Sequence, residues 1–333
     1  MNVKESVLEE LLEAKKNDEY VSGEKLASLC NVSRAAVWKA VNSLKADGEK
    51  IEAINNRGYK LLESNYFCQE SIEECLKKID ADSKIKIRFY KTIDSTNTEA
   101  KRLLLKQSAE HLNKTVCIAV EQTAGRGRLG RKFYSPGKTG IYFSIIYAPQ
   151  KNLESSKITA LSAVGICRAI KNVYGIESKI KWVNDIYIEE KKVCGILTEG
   201  TANLETGLID AAVIGIGINI GENDEIPEEV KKIAGAITHN TNDYKRSELA
   251  ANAISEVIKI IEGTESEKNE AMQEYKKRSN LTGKKITVTP IINLNEGKYT
   301  CTVKGISDDA KLIVELEDGS EKELDSGEVS LHQ

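Results

Sequence analysis

The residues with the clearest chemical potential lie in one short segment, 121–131, which reads Glu-Gln-Thr-Ala-Gly-Arg-Gly-Arg-Leu-Gly-Arg. Three arginines alternate with three glycines there, directly after a predicted buried strand at 116–120. Glycine lets the backbone approach a ligand closely, and arginine presents an always charged, planar fork to a carboxylate or phosphate. The spacing is not that of a Walker phosphate loop. We therefore predict a loop that binds a small anion, although a solvated basic turn would share this composition.

Two further segments carry polar side chains beside predicted strands. Residues 94–99 read Asp-Ser-Thr-Asn-Thr-Glu, and either Ser95 or Thr96 could cap a helix predicted at 97–106. A helix N-terminus is also a polar binding site, so both interpretations stand. Lys181 lies within an apolar strand. Its ammonium must face solvent or meet an anionic partner, because burying it unpaired is costly.

The fourth segment, 214–221, alternates isoleucine with glycine and asparagine. Its glycines follow the spacing GxGxxxG, and an acidic loop follows in place of a helix, so we reject a dinucleotide-binding turn. The period of two predicts a strand whose isoleucines fill the core. The opposite face, formed by Gly215, Gly217, Asn219 and Gly221, is nearly bare, which allows a flat ligand to lie against the backbone.

The flanking elements divide the chain into three predicted regions and indicate an α+β protein. Residues 1–64 contain three helices and two short strands, which is the layout of a winged helix-turn-helix. Residues 65–275 alternate strands with buried helices, as in an α/β or α+β domain of catalytic size. Residues 281–333 contain three strands of alternating polarity and an Asp-Gly turn, which favours a small β-barrel.

The distribution of charge suggests what the first region binds. The net charge of the chain is −3, so only a local patch could meet a nucleic acid. Segment 31–60 has an excess of basic over acidic residues, and its basic residues are Arg34, Lys39, Lys45, Lys50, Arg57 and Lys60. They fall on the last helix, for which Ser33 is the predicted N-cap, and on the hairpin. These features predict DNA binding, and a domain for protein contact is the alternative.

Composition limits the remaining possibilities. The chain has 333 residues, of which 40% are hydrophobic and 30% charged, enough for folded domains. Its first ten residues are too polar for a signal peptide, and it lacks the apolar run of about 18 residues that a membrane span needs. Seven cysteines occur without a CxxC pair or a histidine cluster. They predict free thiols in the cytoplasm, with no disulfide framework and no metal site.

Together these segments resemble the BirA-type biotin protein ligases, in the family's order and over nearly the whole chain. Residues 125–131 resemble the family pattern GRGRxGR, 94–97 resemble DSTN, 181–185 resemble KWPND and 215–219 resemble GxGxN. Residues 33–39 resemble the recognition helix of the long, repressor-type members. The resemblance implies a winged helix-turn-helix, a mixed-sheet catalytic domain of the biotin/lipoate ligase type and an SH3-like β-barrel. Val183 replaces the family's proline, so we expect a straighter strand there.

The resemblance also implies a reaction and a set of ligands. The carboxylate of biotin attacks the α-phosphate of Mg²⁺-bound ATP to give biotinyl-5′-AMP, and a lysine of a biotin carboxyl carrier protein then displaces AMP. In such chemistry the protein mainly positions groups and neutralises charge. Long members also repress transcription as ligand-promoted homodimers on operator DNA. The expected partners are therefore the carrier domain, operator DNA and a second copy, with no membrane.

Individual roles follow from the motif match. Catalytic roles are expected for Lys181, Arg126 and Arg128. Biotin contacts are expected from Ser95, Thr96, Asn97, Gln122, Arg126, Gly127, Arg128 and Lys181. ATP contacts are expected from Arg128, Arg131, Lys181 and Asn219, and the loop over the adenine should fall within 222–240. DNA contacts are expected from Ser33, Arg34, Ala35, Val37, Trp38, Lys39 and Arg57.

Two other functions share parts of this pattern. A lipoate ligase would use the same adenylation chemistry, but the Gly/Arg loop favours biotin. A transcription factor that only senses biotin would not need Arg126, Arg128 and Lys181 to neutralise phosphate charge. The predicted function is therefore a biotin ligase that also represses transcription.

Overall fold

The computed structural model describes residues 3–15, 17–46, 49–63, 66–148, 155–202, 209–222, 226–240, 245–291 and 297–331. The first region is a winged helix-turn-helix, as predicted. Its elements are α1 (Val3–Lys15), α2 (Gly23–Leu29), α3 (Arg34–Ala46), β1 (Lys50–Ile54) and β2 (Gly58–Glu63). Apolar side chains at helical spacing form a separate core for this region. The Oγ of Ser33 accepts from the amide of Ala36 at 3.2 Å, which confirms the predicted cap of α3.

A seven-stranded mixed sheet forms the centre of the molecule. In chain order its strands are β3 (Lys86–Ile93), β4 (Thr115–Gln122), β5 (Gly140–Tyr147), β6 (Lys179–Lys181), β7 (Asp185–Ile188), β8 (Lys191–Ala202) and β9 (Ile209–Asn219). Their spatial order is β3-β4-β5-β9-β8-β7-β6. β3 and β4 run parallel and the other neighbouring pairs run antiparallel. The predicted segments 116–120 and 214–220 therefore lie two strands apart, on either side of β5.

Helices cover both faces of this sheet. They are α4 (Gln69–Ile79), α5 (Thr96–Leu104), α6 (Ala109–Leu112), α7 (Ser155–Tyr174), α8 (Glu228–Lys231), α9 (Arg246–Glu262) and α10 (Glu265–Arg278). Ile214, Ile216 and Ile218 of β9 enter the main core with α7 and α9. Val213 packs on the opposite face against α5 and α6. This alternation confirms the predicted period of two and leaves the glycines of β9 on the face toward α5.

The third region is a five-stranded antiparallel sheet rather than a confirmed barrel. Its strands are β10 (Lys285–Thr289), β11 (Tyr299–Ile306), β12 (Leu312–Glu315), β13 (Glu321–Leu324) and β14 (Glu328–Leu331). Their order is β13-β12-β11-β10-β14, and among the described residues β13 and β14 do not pair to close the sheet. Its apolar side chains join the main core, and Nε1 of Trp182 donates to the carbonyl of Ala310 at 2.8 Å. This region therefore packs firmly against the end of β6.

The chain around Val183 differs from the prediction. The expected straighter strand is wrong, because β6 ends at Lys181 and the chain turns back into antiparallel β7 at Asp185. The peptide bond between Trp182 and Val183 in this turn is cis. The turn brings both ends of the matched segment, Lys181 and Asp185, to one side of the sheet, where they form a register pair.

Three other observations bear on the sequence predictions. Helix α10 ends at Arg278, so the proposed boundary at 275 falls inside it. All seven cysteines are free thiols. No helix in the described ranges has the length and apolarity needed to cross a membrane.

Candidate active site

The predicted ligand residues surround one cavity of about 210 Å³ over one face of the central sheet. Four segments line it: the start of α5, the end of β4 with the Gly/Arg loop that follows it, the turn after β6, and the glycine face of β9. Its lining includes all eight residues of the predicted biotin site, namely Ser95, Thr96, Asn97, Gln122, Arg126, Gly127, Arg128 and Lys181. Four segments that are distant in the sequence thus converge on one space, while their contacts with a ligand stay a prediction.

The glycines of β9 make room for two side chains of the cavity wall. A Cβ atom built on Gly215 would lie 2.0 Å from Oδ1 of Asn97. A Cβ atom on Gly217 would lie 2.4 Å from the ring of Phe133. Real side chains do not approach so closely, so any substitution would displace the cavity wall. The bare face that the sequence predicts is therefore filled by the polar wall of the cavity and by an aromatic side chain.

The start of α5 supplies both a helix cap and a polar wall. The Oγ of Ser95 accepts from the amide of Thr98 at 3.5 Å, so Ser95 is the cap. The amide of Thr96 donates to Oε1 of Gln122 at 2.8 Å, and Nε2 of Gln122 donates to Oγ of Ser135 at 2.8 Å. These bonds hold the side-chain amide of Gln122 at the N-terminus of α5. The capping and binding interpretations are therefore compatible, as the sequence allowed.

Two residues that sequence reasoning missed support the polar wall from behind, through hydrogen bonds to Thr96 and Asn97. Ser144 is buried in the middle of β5, with Oγ 2.7 Å from Oγ1 of Thr96 and 2.6 Å from Oδ1 of Asn97. Glu199 on β8 accepts from Nδ2 of Asn97 at 2.8 Å and pairs with Lys101 at 2.6 Å. Burial raises the pKa of the Glu199 carboxyl, but hydrogen bonds from Lys101 and Asn97 outweigh this effect and lower it below its usual range. For Ser144, the sequence signal was a lone serine in an otherwise apolar strand.

The Gly/Arg loop is held in a definite shape. It contains a single 3₁₀ turn at Arg128–Gly130, and the amide of Gly127 donates to the carbonyl of Arg131 at 2.8 Å. Nη1 of Arg128 donates to Oδ1 of Asn184 at 3.1 Å. Nη1 of Arg126 lies 3.8 Å from Glu199, and Arg131 forms an ion pair with Glu328 of β14. Each arginine therefore has a partner from a different segment, which aims the loop at the cavity.

Two lysines face the cavity from the turn region. Lys181 is half-buried and forms no ion pair with any other described residue, so burial lowers the pKa of its ammonium. It faces a polar cavity, so an anionic partner could reach it only as a ligand, and that contact stays a prediction. Lys192 on β8, which the sequence reasoning missed, places Nζ 2.7 Å from Oδ1 of Asp185. Both lysines can meet an anionic ligand at this wall.

A second cavity, of about 660 Å³, adjoins the first. The walls that the two cavities share include Arg131, Lys181, Asp185 and Lys192. Asn219 lines only the second cavity, and so does part of the segment from Glu222 to Ala236. That segment falls within the range 222–240, where the loop over the adenine is expected, and its contact with an adenine stays a prediction; residues 223–225 lie outside the described ranges. The two cavities can hold two ligands whose anionic ends meet at one cationic wall.

The predicted DNA-contact residues lie on the surface of the first region, with one exception. Ser33, Arg34, Ala35, Trp38, Lys39 and Arg57 are exposed. Trp38 keeps 59% of its surface accessible, and the guanidinium of Arg57 stacks over the ring of Tyr20 at 4.2 Å. Val37 is fully buried in the core of the domain. Its prediction as a DNA contact is wrong, because it faces inward one helical position away from Trp38.

Fold and site together define a class of protein: a mixed-sheet domain whose two adjoining cavities share a cationic wall, preceded by a winged helix-turn-helix domain. Comparison with known proteins narrows the class. Residues 89–219 match the model of the biotin/lipoate A/B protein ligase family, residues 5–60 an HTH domain and residues 291–332 the biotin protein ligase C-terminal domain. The chain is 35% identical to the bifunctional ligase/repressor BirA of Bacillus spizizenii over 227 residues, 68% of each protein. The chain therefore belongs to the biotin protein ligase family.

Two further relatives extend this match. The bifunctional ligase/repressor BirA of Escherichia coli is 29% identical over 321 residues, which cover 95% of this chain and 94% of that protein. The biotin protein ligase from Aquifex aeolicus, whose structure was solved in complex with biotin and ATP, is 28% identical. It superposes with a TM-score of 0.58 and covers 74% of this chain and 99% of its own. The similarity to BirA thus includes the N-terminal domain.

Proposed function

We propose that this chain is an ATP-dependent biotin protein ligase that also acts as a DNA-binding transcriptional repressor. Biotin occupies the first cavity and ATP the second, so that the carboxylate of one meets the α-phosphate of the other at the shared wall. The observation that carries this proposal is the pair of adjoining cavities with Arg131, Lys181 and Lys192 in common. Cations fixed at that place can stabilise the negative charge that develops on the reacting phosphate.

The reaction proceeds in two steps. A carboxylate oxygen of biotin attacks the α-phosphorus of ATP, the bond to the bridging oxygen breaks, and pyrophosphate leaves with its electron pair. The neutral ε-amine of a carrier lysine then attacks the acyl carbon, the bond between the acyl carbon and oxygen breaks, and AMP leaves while the amine loses a proton. Arg126, Arg128 and Lys181 position and neutralise the anionic groups in both steps.

Magnesium enters as part of the nucleotide substrate. Among the described residues, no group of three or more His, Cys, Asp or Glu side chains could hold a metal ion. Asp185 and Asn219 line the second cavity and offer at most a few oxygen ligands. This supply fits Mg²⁺, which usually keeps several waters and binds proteins through one or two carboxylates together with substrate phosphates.

The polar wall favours biotin over lipoate. A ureido ring carries two N–H donors and a carbonyl acceptor, and the wall of Thr96, Asn97 and Gln122 offers hydroxyl and amide groups to match them. The dithiolane ring of lipoate has neither such donors nor such an acceptor, so it would gain no comparable hydrogen bonds from this wall.

Incubation of the protein with Mg²⁺, ATP, biotin and a biotin carboxyl carrier domain tests the reaction. We expect intact-mass spectrometry to show one biotinyl group on the carrier, and none on a carrier whose acceptor lysine is replaced by arginine. Lipoate in place of biotin should give no mass gain. Modification with lipoate alone, or biotin binding without pyrophosphate release, would contradict the proposal in favour of a lipoate ligase or a pure sensor respectively.

The repressor activity uses the exposed face of α3 and the wing, which is the hairpin of β1 and β2. We propose that biotinyl-AMP promotes a homodimer whose two helix-turn-helix domains meet two operator half-sites. Biotin and ATP added together should raise both the sedimentation coefficient and the affinity for operator DNA, whereas either ligand alone should do neither. Sedimentation and DNA affinity that stay constant with both ligands present would overturn this part.

A further inference from the structure

The turn that joins β6 to β7 is held in place through its backbone. Oη of Tyr275, a fully buried residue of α10, donates to the carbonyl of Val183 at 3.0 Å. The amide of Ile196 on β8 donates to the carbonyl of Asn184 at 3.0 Å. Neither bond uses the side chain of Asn184, a residue that lines the first cavity. The backbone of the turn therefore has anchors that do not depend on that side chain.

The orientation of the Asn184 amide is fixed by two neighbours that agree. Nδ2 donates to the carbonyl of Ile196 at 2.9 Å, and since a carbonyl oxygen only accepts, the amide nitrogen must face β8. Oδ1 accepts from Nη1 of Arg128 at 3.1 Å, and since a guanidinium only donates, the amide oxygen must face the Gly/Arg loop. Asn184 thus ties the loop to the backbone of an interior strand of the central sheet.

Arg128 differs from the other two arginines of the loop in the charge of its partner. Arg126 and Arg131 are exposed and lie near carboxylates, those of Glu199 and Glu328. Such pairs at the surface hold a side chain weakly, and a carboxylate also offsets part of the positive charge. Arg128 is partly buried, and its partner among the described residues is a neutral amide oxygen. That oxygen orients the guanidinium and leaves its full charge for an anionic ligand.

The hydrogen-bond count allows Arg128 to meet a ligand without leaving Asn184. A guanidinium has five N–H donors, so one bond to Oδ1 leaves four for other acceptors. Arg128 and Asn184 line the same cavity. An anionic group in that cavity, such as a carboxylate or an acyl phosphate, can therefore accept from Arg128 while the bond to Asn184 persists.

We propose that Asn184 is a positioning residue for Arg128: it fixes the guanidinium at the wall of the first cavity without neutralising it, so that the acyl phosphate of biotinyl-AMP meets a charge already in place. This inference rests on the proposed function. Asn184 acts through Arg128, because orienting a flexible side chain in advance removes the cost of ordering it when the ligand binds. The adenylate is then held more tightly until the carrier lysine arrives.

A double-mutant cycle read by ligand affinity tests this role. Its probe is the acyl sulfamate analogue of biotinyl-AMP, an anionic compound that cannot react, and calorimetry gives its Kd for each variant. We expect Asn184→Ala to raise the Kd roughly tenfold, the cost of ordering one long side chain on binding. In an Arg128→Met background, the same substitution should change the Kd by less than about twofold, because the group that Asn184 positions is gone.

The cycle and a control variant separate this role from a structural one. If Asn184 merely braced the turn or β8, its substitution would cause the same loss in both backgrounds. Asn269→Ala, at an exposed position of α10 outside both cavities, is the matched control and should bind the analogue as wild type does. If Asn184→Ala does not fold by thermal melting, Asn184→Leu, which keeps the volume of the side chain, takes its place in the cycle.

The outcomes test the positioning role and the proposed function separately. Wild-type protein without biotin-dependent pyrophosphate exchange would refute the function. Wild-type exchange together with an unchanged Kd for the analogue in Asn184→Ala, or with equal losses in both Arg128 backgrounds, would refute the positioning role. Tighter binding by Asn184→Ala would refute it as well, because Asn184 would then hold Arg128 away from the ligand.

Discussion

The catalytic region and the N-terminal region present their predicted functional residues in opposite ways. Around the first cavity, residues from four distant segments converge and restrain one another, as the bonds of Thr96 with Gln122 and of Arg128 with Asn184 show. On the N-terminal domain, the predicted contacts lie side by side on α3 and the wing, exposed to solvent. A converging site limits the chemistry of its ligand, whereas an exposed face limits mainly the charge of its partner.

The two regions are joined by contacts of modest strength. Lys91 pairs with Glu9 of α1 at 2.8 Å, and Lys15 of α1 pairs with Glu74 of α4 at 2.8 Å. Partly exposed ion pairs of this kind contribute about 0–1 kcal/mol each. The first region also has its own apolar core. We therefore expect substitutions in one region to leave the basal activity of the other intact.

The largest expected effect concerns the two lysines at the shared wall. Lys181→Met and Lys192→Met should each lower kcat/KM for biotin-dependent pyrophosphate exchange by roughly a hundredfold, because each removes a fixed cation from the developing phosphate charge. Binding of each variant to duplex DNA without ligands should match wild type. Pyrophosphate exchange and a gel-shift assay on the same preparations measure both quantities.

Lys179→Met, two residues before Lys181 on the same strand, is the control for this pair. Lys179 is exposed and does not line either cavity, so exchange should stay at the wild-type rate. A lysine variant with wild-type exchange would remove that lysine from the catalytic set. Loss of ligand-free DNA binding would instead show that the two regions are not independent.

The sequence predicted the residues that line the first cavity, but it missed the residues behind them that hold them in place. Local motifs located Ser95, Gln122 and Arg128, because each motif combines unusual residue types with a predicted strand or helix end. Glu199 and Ser144 were missed because their importance arises from partners far away in the chain. The bond between Asn97 and Glu199 spans 102 residues, and β8, which positions both Glu199 and Lys192, had no motif of its own.

The predictions of the fold differ in the same way: features set by neighbouring residues were predicted, and features set by distant contacts were not. Helix α3 and its cap at Ser33 follow from hydrophobic spacing and one hydroxyl, so the prediction was confirmed. The buried position of Val37 follows from that same spacing, which should have excluded it as a DNA contact. The end of β6 at Lys181 was not predicted. The next residue, Trp182, donates from Nε1 to the carbonyl of Ala310, a contact that spans 128 residues and that no local pattern indicates.

The smallest expected effect sharpens the description of the exposed face. Lys39→Ala should lower the magnitude of the slope of log K against log salt by about 1 on duplex DNA of mixed sequence, since one phosphate contact is lost. Pyrophosphate exchange should be unchanged. Lys78→Ala, on the exposed side of α4, is the matched control and should keep the wild-type slope. If the slope fell for Lys78 and not for Lys39, the DNA would lie along the catalytic domain, and the exposed face of α3 would be free to meet a protein.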